Sequence, residues 1–109
     1  MASFVEVARV EQLPPGNGMV VRVDGKDVAI FNVDGTIYAI DDSCRHQGLS
    51  LGTSKVEGKI VTCRGHGWKY DVTTGSTLAS PGFGVAAYPV KVVDGKIMVA
   101  TDETANSAA

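Results

Sequence analysis

Short runs of β-branched and aromatic residues alternate along the chain with tight turn signals. The strongest signals are three Val-Asp-Gly copies that end at Gly25, Gly35 and Gly95, with further pairs at Glu57-Gly58 and Thr74-Gly75. Asp-Gly between apolar runs is a strong hairpin signal, since both residues tolerate the positive φ that a primed turn requires. The pattern therefore predicts several β-hairpins.

The runs between these turns predict strands, and no window of about a dozen residues carries a helical stripe. Several runs alternate apolar with polar residues, as in Tyr88-Pro89-Val90-Lys91-Val92, which is typical of a strand with one face on a core. We therefore expect an all-β fold, an antiparallel sandwich or small barrel. The predicted strands are Val5–Val10, Met19–Val23, Asp27–Val33, Thr36–Ile40, Lys59–Cys63, Trp68–Val72, Tyr88–Val93 and Lys96–Ala100.

Length and composition predict one domain spanning residues 1–109, because 109 residues that are 44% hydrophobic suffice for a single core. The net charge of -2, without a run of five like charges, argues against nucleic acid as a partner. The apolar stretches fall far short of the roughly 20 residues that span a bilayer, so we expect no membrane association. No secretory signal is visible at Met1–Glu6, which favours a cytoplasmic protein.

The stretch of about residues 42–84 differs from its flanks. It is rich in Gly, Ser and Thr, and it holds both cysteines and both histidines of the chain. We interpret it as a loop-rich subdomain inserted between the early and late hairpins, too short to have a core of its own, and expect function there. The tail at about residues 102–109 has no apolar pattern and is expected to fray.

The four Cys and His residues form two matched groups, Cys44-Arg45-His46 and, after sixteen intervening residues, Cys63-Arg64-Gly65-His66. Each group offers one thiolate and one imidazole, so together they supply the four ligands of a metal site. A disulfide or two buried thiols are the alternatives, and the absent secretory signal favours reduced cysteines. Structural zinc also remains open, although zinc fingers usually group two cysteines in one knuckle and two histidines on a helix.

These residues resemble the signature of the Rieske family. The continuation His66-Gly67-Trp68-Lys69-Tyr70-Asp71 resembles its second cluster loop, and Ser80-Pro81-Gly82-Phe83-Gly84 resembles its proline loop. The resemblance implies an antiparallel β sandwich with one [2Fe–2S] cluster in the inserted subdomain. One iron would take Cys44 and Cys63, and the other His46 and His66.

The resemblance also bears on the reduction potential. Rieske potentials range from roughly −150 to +300 mV, and high-potential relatives carry an extra cysteine in each ligand loop, joined as a disulfide, and a serine two residues after the second ligand histidine. The matching positions here are Leu49, Gly65 and Trp68, which predicts a potential near the lower end, roughly −150 mV. Tyr70 matches the tyrosine of the high-potential pattern; it is either a hydroxyl donor to the cluster or a core aromatic.

We expect His46 and His66 to form an exposed exit for electrons, inside a polar and basic rim. Arg45 and Arg64 either attract an acidic partner patch or are solvated loop charges. Pro81 and Phe83 are expected to shield the cluster, although an ordinary turn would also explain Pro81-Gly82. The other rim residues are Gln47, Trp68 and Lys69.

No histidine remains for a second iron centre, so the chain is not itself an oxygenase. The resemblance implies a soluble, monomeric Rieske ferredoxin that passes single electrons from a flavin-containing reductase to a terminal mono- or dioxygenase through transient complexes. Two alternatives remain: a small subunit resembling that of assimilatory nitrite reductase, and a zinc-stapled binding module.

Overall fold

The computed structural model describes residues 4–42, 51–52, 56–62, 69–76 and 85–101, and these residues form ten β-strands and one short 3-10 turn. No helix among them is long and apolar enough to cross a membrane. The strands are β1 (Val5–Arg9), β2 (Gly18–Val23), β3 (Lys26–Val33), β4 (Thr36–Asp41), β5 (Val56–Glu57), β6 (Ile60–Thr62), β7 (Lys69–Asp71), β8 (Ala87–Tyr88), β9 (Val90–Val93) and β10 (Lys96–Val99), and the 3-10 turn is Val10–Gln12.

The strands form three sheets, with the orders β1-β10-β9, β2-β3-β4-β8 and β5-β6-β7. Every strand pair is antiparallel. The expected all-β antiparallel fold is therefore confirmed. The predicted tail at residues 102–109 lies outside the described residues.

The three Asp-Gly sequences each form a two-residue hairpin turn. Asp24, Asp34 and Asp94 have φ of 50°, 51° and 52°, and the glycine that follows each is also at positive φ. Two consecutive positive φ angles define the type I′ turn, whose twist matches that of the flanking strands. The predicted hairpins are confirmed here, whereas the turn predicted at Glu57-Gly58 has Gly58 and Lys59 as its central residues.

The single strand predicted over Tyr88–Val93 is wrong. Pro89 divides it: Tyr88 pairs with β4, while Val90–Val93 pairs with β10 in another sheet. Proline has no N–H to donate to a ladder, so the chain changes sheets there. The expectation that Val92 faces a core also fails, because β9 is the last strand of its sheet and Val92 is 48% exposed.

The four-stranded sheet lies between two hydrophobic clusters. On β3, Val28 and Ile30 belong to a cluster with β10, whereas Ala29 and Phe31 belong to a cluster with the small sheet β5-β6-β7. Successive strand residues face opposite sides, so burial of both faces explains the uninterrupted apolar run of β3. The small sheet thus shares its core with the central sheet.

Candidate metal centre

The four candidate ligands, Cys44, His46, Cys63 and His66, lie outside the described residues. Within the described part of the chain, no group of three or more His, Cys, Asp or Glu side chains is placed to hold a metal ion. Five other candidate site residues also lie outside it: Arg45, Gln47, Arg64, Trp68 and Pro81. What the structure does describe is the frame from which these segments depart.

The first frame element joins the two ends of the segment 43–50. The backbone N–H of Leu51 donates to the carbonyl oxygen of Asp42 at 2.7 Å, so residues 42 and 51 form a closing pair, meaning two hydrogen-bonded or strand-paired residues that flank a segment with candidate site residues. The carboxyl Oδ1 of Asp42 accepts a second bond from the N–H of Gly52, also at 2.7 Å. Both ends of the segment that carries Cys44 and His46 are therefore fixed to each other.

The second closing pair is Thr62 and Lys69, which are opposite each other in the β6–β7 ladder and flank residues 63–68. Next to it, Tyr70 pairs with Val61, and both side chains are fully buried in the cluster shared with β3 and β4. The Tyr70 ring therefore packs in the core. A hydrogen bond from its hydroxyl to a cluster stays a prediction.

The third closing pair is Gly75 and Val85, which flank residues 76–84. The N–H of Val85 donates to the Gly75 carbonyl at 2.7 Å. Before it, the carboxylate of Asp71 accepts bonds from the Thr73 N–H at 2.9 Å and the Thr73 hydroxyl at 2.5 Å, which shapes the turn after β7. The segment containing Pro81 thus starts and ends at one place.

The three closing pairs are joined by one core. Leu51, Val61, Tyr70 and Val85, each within or beside a closing pair, belong to the same cluster of buried residues. The Asp41 N–H also donates to the Ala86 carbonyl at 2.8 Å, which places the start of the first segment beside the end of the third. The frame therefore brings together segments that are distant in sequence.

Sequence reasoning did not single out Asp42, Leu51 or Gly52. An aspartate at this position in the sequence would be expected at the surface, but Asp42 is only 6% exposed. A Cβ on Gly52 would lie 2.6 Å from Val20 Cγ2 and 3.0 Å from the Met19 carbonyl, so only glycine fits there. The available signal was their position: an acid just before, and Leu-Gly just after, the first ligand segment.

Charge is unevenly divided between the candidate site and the rest of the chain. Residues 42–84 contain five basic and three acidic residues, whereas the remainder contains five basic and nine acidic residues. The ligand-bearing stretch is therefore net positive and the scaffold net negative. Such a separation orients a protein toward an acidic partner surface during encounter.

A groove of about 320 Å³ lies elsewhere, between the first half of β4 and residues 87–90. Tyr88 borders it, and burial followed by the nearby Asp41 carboxylate raises the pKa of its hydroxyl above the ordinary 10.0. Val72 and Thr73, which follow β7, also line this groove among the described residues.

The donor set fits a [2Fe–2S] cluster of mixed ligation. Two thiolates and two imidazoles match the needs of one iron bound by cysteine and one bound by histidine. The frame suits this use, since the first two segments each contain one cysteine and one histidine and each is closed at its base by its own pair.

The comparisons with known proteins cover most of the chain. Residues 3–89 match the family model of the Rieske [2Fe-2S] domain. The chain is 32% identical over 98 residues to the ferredoxin component of naphthalene 1,2-dioxygenase/salicylate 5-hydroxylase systems from Ralstonia sp, which covers 89% of this chain and 94% of that protein. The match thus spans nearly the whole length of a relative that is named as a ferredoxin component.

Solved structures agree with this match. The ferredoxin of carbazole 1,9a-dioxygenase from Nocardioides aromaticivorans IC177 has a TM-score of 0.83 and 31% identity, covering 90% of this chain and 97% of that one. A chain from a complex of reduced oxygenase and oxidized ferredoxin in carbazole 1,9a-dioxygenase has a TM-score of 0.81 and 29% identity, covering 89% and 92%. A Mycobacterium tuberculosis protein named as an NADH-dependent nitrite reductase small subunit has a TM-score of 0.85 and 27% identity, covering 92% and 96%.

Proposed function

We propose that this chain, which belongs to the Rieske [2Fe–2S] family, is the ferredoxin of an oxygenase system and delivers single electrons to a terminal oxygenase. The observation that carries this proposal is the match, over 89–90% of this chain and 94–97% of the relatives, to ferredoxin components of dioxygenase systems. The cofactor is a Rieske-type [2Fe–2S] cluster. The chain is an electron carrier and not an enzyme in its own right.

We assign the ligands from the sequence. Cys44 and Cys63 would hold one iron and His46 and His66 the other. When bound, the cluster supplies a reversible one-electron couple. The task of the chain is then to hold four donors in place, keep bulk water from the sulfurs and present an exit for the electron.

The potential follows from the residues around those ligands. Leu49, Gly65 and Trp68 occupy the positions where high-potential relatives have cysteines and a serine, so the hydrogen bond and disulfide that raise the potential are missing. We place the midpoint potential near the lower end of the family range, roughly −150 mV. A redox titration with a midpoint well above zero would contradict this assignment.

Docking to the oxygenase is proposed at the ligand-bearing end. A relative of this chain is found in a complex of oxygenase and ferredoxin. Arg45 and Arg64 are adjacent to ligands in the sequence, and the net positive charge of residues 42–84 favours an acidic partner surface. Gln47, Trp68 and Lys69 complete the proposed rim, while Pro81 would shield the cluster.

The finer partner assignments belong to the same proposal. A flavin-containing reductase would supply the electrons, and the chain would act as a cytoplasmic monomer that forms small, transient complexes. The predicted single domain at residues 1–109, with its inserted subdomain at about residues 42–84, is likewise part of it. Sedimentation of the purified chain tests whether it is a monomer, and limited proteolysis tests whether it is a single domain.

The experiment that tests the function has two arms. Iron and sulfide analysis with an EPR spectrum of the dithionite-reduced protein should give two irons, two sulfides and the low average g value of mixed Cys/His ligation. Zinc in a colourless protein from the native host would overturn the cluster assignment. In the second arm, a ferredoxin-dependent oxygenase and its reductase should consume NADH and oxidise substrate only when this chain is added.

A nitrite reductase subunit is the second candidate, favoured by the TM-score of 0.85 to a protein named as such a subunit. The complete set of four ligands in this sequence counts against it, because many proteins of that type lack them. Co-purification with a large nitrite reductase chain, together with failure to support any oxygenase, would favour this second function.

A further inference from the structure

We propose that Asp42 is a positioning residue for the cluster: its buried carboxyl group clamps the ends of the segment 43–50 and thereby sets where Cys44 and His46 are presented. This inference rests on the ligand set proposed above. It concerns a residue that is not a ligand and that lies just outside the ligand motif.

Three hydrogen bonds join Asp42 to other described residues. Its Oδ1 accepts the Gly52 N–H at 2.7 Å, its carbonyl accepts the Leu51 N–H at 2.7 Å, and its own N–H donates to the Asp27 carbonyl at 3.1 Å. The first two bonds close the segment, and the third fixes it to β3. Asp42 is 6% exposed, so water competes little for these bonds.

The far end of the segment is equally constrained. Leu51 is fully buried in the hydrophobic cluster that the central sheet shares with the small sheet. Gly52 is pressed against β2, and a Cβ there would lie 3.1 Å from the Asp42 carboxyl oxygen as well as 2.6 Å from Val20 Cγ2. Both ends of the first ligand segment are therefore fixed to the central sheet through the Asp42 clamp.

The burial of an acidic residue here agrees with the clamp. Acidic residues are rarely buried unless hydrogen bonds compensate for the lost hydration. The bond from the Gly52 N–H supplies such compensation to the Asp42 carboxyl group.

Asn32 offers a matched control within the same chain. It is 3% exposed, donates from Nδ2 to the Leu13 carbonyl at 2.7 Å and accepts the Gly35 N–H at Oδ1 at 2.8 Å. These bonds join two turns of the scaffold and involve no residue of a closing pair. Its loss should lower overall stability without changing the cluster.

The test compares wild type, Asp42→Asn, Asp42→Ala and Asn32→Ala, all isolated anaerobically with their cluster. We measure iron and sulfide per chain, the rate at which visible absorbance decays under a chelator, the EPR spectrum and the thermal midpoint of unfolding. Asp42→Ala should lose its cluster at least tenfold faster than wild type. Asp42→Asn keeps an oxygen acceptor for the Gly52 N–H and should retain the cluster with the wild-type lifetime and EPR spectrum, while Asn32→Ala should lower only the thermal midpoint.

Three outcomes would overturn the proposal: wild-type cluster lifetime in Asp42→Ala, cluster loss from Asp42→Asn as fast as from Asp42→Ala, or equally fast cluster loss in folded Asn32→Ala. If Asp42→Ala fails to fold, Asp42→Asn decides: a wild-type lifetime supports the clamp, and at least tenfold faster loss overturns it. A wild-type protein without iron and sulfide would instead refute the ligand set itself, so the two failures are distinguishable.

Discussion

The central sheet and the small sheet are held together by different means. Strands β2, β3 and β4 pair over six residues at each interface, whereas β5–β6 pairs over two residues and β6–β7 over three. The first region has long ladders joined by type I′ turns. The small sheet is held by short ladders, by the closing pairs and by side chains that it packs into the shared core. We therefore expect the small sheet to open locally at a lower free energy than the central sheet.

The central sheet and the small sheet should therefore respond to different substitutions. For the region of the small sheet, we expect the largest effect from removal of a proposed cluster ligand. We expect His66→Ala to abolish binding of the cluster, because one iron loses one of its two protein ligands. Iron analysis and visible absorption measure the loss. Far-UV circular dichroism should still show the β scaffold, and a chain that unfolds completely would contradict the separation of the two regions.

Ile30 and Phe31 test the boundary between the two regions. They are fully buried neighbours on β3, and their side chains face opposite hydrophobic clusters. Either substitution by alanine should lower the free energy of unfolding by about 2–5 kcal/mol. Only Phe31→Ala should also speed cluster loss below the unfolding temperature, because only Phe31 packs against the core shared with the small sheet. Urea titration and chelator-induced decay measure the two effects, and equal decay rates would be the contrary result.

Gly35→Ala tests the scaffold alone. Gly35 has a φ of 93°, and a Cβ there would meet no atom within 4 Å, so the cost is purely conformational. We expect a loss of about 1–2 kcal/mol in the free energy of unfolding, with no change in cluster spectrum or lifetime. A changed EPR signal in this variant would show that the turn communicates with the metal centre.

Tyr70→Phe tests a residue whose ring packs in the core and whose hydroxyl is a predicted hydrogen-bond donor to the cluster. The ring stays in the core, so stability should change little, but loss of a hydroxyl donor to the cluster would lower the midpoint potential by about 40 mV, the equivalent of ~1 kcal/mol. Redox titration measures this shift. An unchanged potential would assign Tyr70 to the core only.

Tyr88→Phe should have the smallest effect, confined to alkaline pH. The folded state holds the pKa of Tyr88 above the ordinary 10.0 through burial and the Asp41 carboxylate. Above pH 10 the unfolded chain therefore loses this proton before the folded chain does, so the stabilisation present below pH 10 declines as pH rises. Urea titrations across pH 9–11 should show a shallower decline in Tyr88→Phe, and identical slopes would contradict this assignment.

Local features of the fold were readable from the residues. Asp-Gly predicts its turn because positive φ is a property of the two residues themselves. The division of residues 88–93 was not readable, since it depends on which sheet accepts each half of the segment. Pro89 was the visible warning, as proline interrupts a ladder.

Likewise, the two Cys and two His residues and their spacing indicated a metal site, because coordination chemistry depends on the donor atoms, and their resemblance to the Rieske signature indicated the family that the family model confirms. Only the tertiary structure showed that Asp42 is buried, that Gly52 meets β2 and that three closing pairs share one core. Those contacts join residues far apart in sequence, and their formation depends on the packing of whole sheets, which no short pattern encodes.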